Sequence, residues 1–221
     1  MPNLVYGDKF RNVGEGLENW YRNPNEFQDM SKRLHVCETL FGDFNAKLMV
    51  LLQDAADENT ILQQKQLESI NPLRHSPKIG TNKKLVKWLG EYFPIDIEGS
   101  NAKNCGIYYA NAVWLIKKGG NISSPIHQPR KVVEACAPVL EATINNLANL
   151  KLILAFGKSA YLALKQKFNI QVSWDEALHS NALIDVGKGF KIGAINHPRA
   201  SVPSATTQER IKHLLEASSL I

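Results

Sequence analysis

Residues 48–57, LMVLLQDAAD, set five apolar side chains in a row and then stop on Gln53 and Asp54, with no proline or glycine to turn the chain. An apolar run without alternation suits a strand covered on both faces, as in a parallel sheet. Counting this run as 47–53, similar runs at 106–115, 151–156 and 190–196 bring the expected strands to four. Helical patterns separate them. Residues 83–93 place Leu85, Val86, Trp88, Leu89, Tyr92 and Phe93 at steps of three and four, and Pro94 ends the pattern. Pro129 suits the first turn of a helix carrying Val132, Val133, Cys136, Val139, Leu140, Ile144 and Leu147, while Pro138 inside it predicts a kink or an early break. Residues 159–168 and 206–215 complete the set. A parallel crossover needs a helix to return the chain, so the expected fold is α/β: a three-layer α/β/α sandwich around a central four-stranded parallel sheet.

The chain has 221 residues, 44% of them apolar, enough for one sizeable core and short for two. One domain over 1–221 is expected, with residues 1–40 as an N-terminal helical extension in which 27–41 reads as helix. Nothing at the N-terminus resembles a signal core, and no apolar run approaches the ~18 residues of a membrane span. A soluble, cytoplasmic, nucleoid-associated monomer is the expectation. Three scattered cysteines, Cys37, Cys105 and Cys136, fit neither a disulfide framework nor a zinc pair, so no metal is expected.

Net charge is +5, unevenly placed. Arg74, Lys78, Lys83, Lys84 and Lys87 lie in one acid-free stretch, and Lys103, Lys117, Lys118, Arg130 and Lys131 in another. A third, 186–208, holds Lys188, Lys191 and Arg199. Clustered positive charge points to a polyanion on one face.

In an open parallel sheet the functional crevice lies at the carboxyl ends of the strands. The expected strands carry Gln53-Asp54, then Asn111 within YYANAVWL, then Gly157-Lys158-Ser159, then Asn196-His197-Pro198-Arg199 at those ends. Asp54 can serve as a base or stabilise a cation, His197 can donate to a developing anion, and the Asn111 amide both donates and accepts. Such an amide suits the edge of a nucleobase. The phosphate-loop, dinucleotide-loop and serine-elbow motifs are all absent.

In this order the motifs resemble those of the uracil-DNA glycosylase superfamily. FGDFNAKLMVLLQDAAD is similar to its first motif, YYANAVWL to the strand with the uracil-reading asparagine, LILAFGKSAYLAL to the following strand and helix, and INHPRAS to the His-Pro-Ser motif. The likeness spans roughly residues 41–204. ACAPVL is similar to the iron-sulfur subfamily, where a cysteine at the Cys136 position is a ligand. The other three ligands have no match, so no cluster and no cofactor are expected, and Cys136 is read as core.

The resemblance implies an N-glycosidase that removes uracil or a related modified base flipped out of DNA. Asp54 and His197 would be catalytic. Gln53, Asn111, Ala56 and Gly157 would hold the base, and Lys83, Lys84, Lys117, Lys118, Lys158, Arg199 and Ser201 would contact DNA. The sequence departs from the family pattern at Leu52 (glycine), Ala55 (proline) and Ala56, where the uracil-specific subfamily has a thymine-blocking tyrosine; the small Ala56 leaves room at C5 of the base. No stacking aromatic occurs near 78–80, where Trp114 or Tyr109 would have to substitute. Arg199 stands where the family has serine, and Val202 is the one counterpart of its apolar wedge. Asp57 reads as a solvated loop acid. Two other readings of the same residues are a non-catalytic nucleic-acid-binding module with a glycosylase-like fold and a hydrolase of free nucleosides.

Overall fold

The computed structural model describes residues 16–22, 43–54, 57–59, 80–95, 105–119, 126–180 and 182–221. The helix expected at 27–41 lies outside them. Seven strands and five helices occur among the described residues: β1 (Tyr21–Arg22), β2 (Leu48–Asp54), α1 (Gly80–Leu89), β3 (Ile107–Val113), β4 (Ile116–Lys117), α2 (Pro129–Asn145), β5 (Leu152–Phe156), α3 (Lys158–Lys167), α4 (Trp174–His179), β6 (Ile184–Asp185), β7 (Lys191–Ile195) and α5 (Ser204–Ala217).

The protein is mixed α/β. Its main sheet has five strands in the order β3-β2-β5-β7-β6, one more than expected. The four strands read from the apolar runs are adjacent and mutually parallel; the fifth, β6, is a two-residue edge antiparallel to β7. Separately, β1 and β4 form an antiparallel ribbon.

Alternation along the strands divides the core. Met49, Leu51, Ile153, Ala155, Ile192 and Ala194 join one apolar cluster with residues of α2, α3 and α4. Leu48, Val50, Leu152, Leu154, Phe156 and Ile195 join a second with residues of α1 and α5. Successive strand side chains face opposite ways, so both faces of the central strands must be apolar, which is why these runs do not alternate in the sequence.

Cys136 is buried in the first cluster, as its reading as a core residue requires. Pro138 does not end α2 early: the helix continues to Asn145. The carbonyl that would have bonded the missing N–H belongs to Glu134, an exposed residue, where water can take the bond.

Ser173 and Glu176 close a reciprocal capping box at the start of α4. Its hydrogen bonds hold the Glu176 carboxyl below its ordinary range. Ser173→Ala should cost about 0.5–2 kcal/mol of stability, read as a lower urea midpoint at unchanged slope. The other end of α4 is tied down by Arg210 of α5, whose guanidinium donates to the carbonyls of Ala177, Ser180 and Ala194. Among the described residues, no helix is long and apolar enough to cross a membrane.

Candidate functional site

The strand order reverses direction at β2: from it the chain goes first to β3 on one side and then to β5 on the other. Such a switch point opens a crevice at the carboxyl ends of the two strands that flank it. Asp54 ends β2, and Gly157 follows β5.

Asn111 pairs with Leu52 across the β2–β3 ladder, near the carboxyl end of both strands. It is 1% exposed, and among the described residues neither its Oδ1 nor its Nδ2 has a hydrogen-bond partner. A buried amide left so costs on the order of 1–3 kcal/mol, so folds retain one only where something else supplies the bonds.

His197 follows β7, two residues past Ile195, and packs on Gly157. A Cβ on Gly157 would lie 3.1 Å from the His197 Cβ and 3.3 Å from its Cδ2. Gly157 has φ 98° and ψ 161°, backbone space that is essentially restricted to glycine. The glycine therefore permits both the strand-to-helix turn and the approach of the imidazole.

The Nδ1 of His197 accepts from the backbone N–H of Arg199 at 3.1 Å. In the neutral ring that places the proton on Nε2, leaving Nε2–H as a donor. Burial lowers the imidazole below its ordinary 6.5; the charge of Asp54 partly opposes this, while Arg199 and Lys84 reinforce it. Asp54 and His197 thus feel each other electrostatically, although they are 143 positions apart in the chain. Lys84 of α1 donates to the carbonyl of Pro198, pinning the loop that carries the histidine.

The Asp54 carboxylate, 16% exposed, forms an ion pair with Lys117 at 2.9 Å. Lys117 was expected to contact DNA. It is instead 3% exposed and committed to Asp54, which takes it off the surface that a phosphate backbone could touch. Asp57 also departs from expectation: it is fully buried, because its backbone bridges to Lys117 of β4 rather than standing in solvent.

Of the other expected residues, Gln53 is half-buried at the end of β2, while Lys83, Lys118, Lys158, Arg199 and Ser201 are exposed. Lys84 is half-buried, and Ala56 lies outside the described residues. Trp114 and Tyr109, the alternatives for a stacking aromatic, are both drawn into the core. Neither a family model nor a curated protein matches the chain.

Sequence reasoning missed the engagement of the N-terminal segment. Tyr21 and Arg22 pair with Lys117 and Ile116, and Tyr21 donates to the carbonyl of His127 at 2.7 Å. Burial pushes the Tyr21 phenol up, and the nearby Asp54 charge adds to the effect. The aromatic character of the first 25 residues was the available signal, but it carried no period that named a partner.

Proposed function

We propose that the protein is a DNA glycosylase of the uracil-DNA glycosylase type, hydrolysing the N-glycosidic bond of uracil or a related modified base flipped out of DNA. The observation that carries this reading is the Asn111 amide, buried with neither its donor nor its acceptor satisfied among the described residues. An N–H and a C=O side by side on the edge of a pyrimidine meet both needs at once.

The remaining groups support the same chemistry. Flipping costs about a few kcal/mol, offset by phosphate contacts for which Lys83, Lys158 and Arg199 are exposed. As the C1′–N bond breaks, its electron pair passes to the base, whose oxygen develops negative charge, and the sugar becomes oxocarbenium-like. His197 donates from Nε2 to that oxygen, and the Asp54 carboxylate stabilises the cation and orients the water that adds to C1′. Gln53 and Gly157 border the base. The two apolar clusters, on opposite pleats of the sheet, support a three-layer sandwich as its scaffold. The protein acts as a monomer on DNA in the nucleoid.

The test is base release across oligonucleotides carrying uracil, a thymine mismatch or deaminated purines, read as alkali-labile abasic sites. The wild type should release base from at least one of these, and Asp54→Asn should lose about two orders of magnitude or more while staying folded. A folded wild type inert on the whole panel would remove this reading.

A further inference from the structure

The ion pair at the end of β2 is built from both sides. Lys117 lies in β4, where its register partner is Tyr21 of β1, and Asp57 bridges to the same residue. The ribbon is fastened beyond it as well: Lys118 donates from its backbone to the carbonyl of Trp20 and from its side chain to that of Glu18. Arg22 pairs with Glu58 at 2.8 Å, and the backbone N–H of Gly119 reaches the same carboxylate at 3.3 Å. Asp57 and Glu58 are thereby clamped to the ribbon that presents the lysine.

A carboxylate has two equivalent oxygens and rotates between them unless one is held. Here Lys117 Nζ takes Oδ2 at 2.9 Å. An ammonium has no acceptor, so it can hold that oxygen without competing for a proton donated by substrate or water.

We propose that Lys117 is a positioning residue for the hydrolysis, holding Oδ2 of Asp54 so that Oδ1 alone faces the sugar and its attacking water. The inference rests on the glycosylase reading. It makes the N-terminal ribbon part of the working site, since β1 fixes the strand from which the lysine reaches.

The experiment measures steady-state base release by the full chain as wild type, Lys117→Met and Lys117→Arg. Misorientation of the carboxylate should lower kcat roughly tenfold to a hundredfold in Lys117→Met at unchanged KM. Lys117→Arg, which keeps a charged donor, should recover most of the loss. An unchanged kcat would overturn the proposal, and so would a raised KM at constant kcat, the signature of a lost phosphate contact. Removing one partner of a buried pair destabilises, so Lys117→Gln replaces the methionine variant if that one does not fold. A crystal structure of the neutral variant gives a reading independent of activity. Asp54 leaving its rotamer supports the role, and Asp54 unmoved overturns it. A wild type inert on every substrate would sink the glycosylase reading and leave this second measurement standing.

Discussion

Replacing His197 with alanine is expected to slow base release by roughly two to three orders of magnitude, the usual loss for one positioned donor to a developing anion. The geometry makes it a neutral donor: Nδ1 is occupied by the Arg199 N–H, and burial disfavours the charged ring. KM should stay near the wild-type value, because the bond to Nε2 strengthens only as the base becomes anionic.

The same variant carries a pH signature in stability. A histidine whose folded value is depressed resists protonation in the native state but not in the unfolded chain. Its contribution is therefore full above the ordinary 6.5 and is lost as pH falls through that value towards the lower folded one. Urea midpoints of the wild type should drop across this window, and those of His197→Ala should drop less. Equal pH dependence in the two proteins would show that the imidazole is not held neutral.

Gly157→Ala is expected to damage the site without touching a reacting group. At φ 98° and ψ 161° an alanine is strained whatever space it finds, by about 1–3 kcal/mol. Its methyl would also sit 3.1 Å from the Cβ of His197, on a loop that Lys84 holds through the Pro198 carbonyl. The imidazole must then shift by a few tenths of an ångström or more. Misplacement approaching 1 Å costs on the order of a hundredfold in rate, so base release should fall far more than the modest drop in thermal midpoint implies. If activity follows stability alone, the contact between Gly157 and His197 does not set the geometry.

The sheet was legible because burial on both faces leaves a direct mark. Each of the four parallel strands falls within one or two residues of its apolar run, and four of the five helices follow from their period and from Pro129, although α1 starts at Gly80 and ends at Leu89, before Pro94 could stop it. The placement of Asn111 and His197 was legible for the opposite reason, as polar residues standing where such a run meets the strand ends. The inward placement of Lys117 was not. Beside Lys118 in an acid-free stretch it reads as surface charge, and only the pairing of positions far apart in the chain turns it inward. No early break follows Pro138, because its consequence depends on whether the abandoned carbonyl meets solvent, which local sequence does not state. The Ser-Trp-Asp-Glu start of α4 did carry a readable capping signal, in a segment too short to show a period.

The brevity of β6 bears on what that margin of the sheet offers to a second polypeptide. An unpaired strand margin is a template on which a neighbouring polypeptide can zip up, and long flat margins invite such docking. Here the ladder on that flank is only Ile184 and Asp185 long, and the positive-φ glycines at 187 and 189 turn the backbone straight back into β7. With room for barely one repeat, that flank gives an incoming strand few backbone groups to pair with.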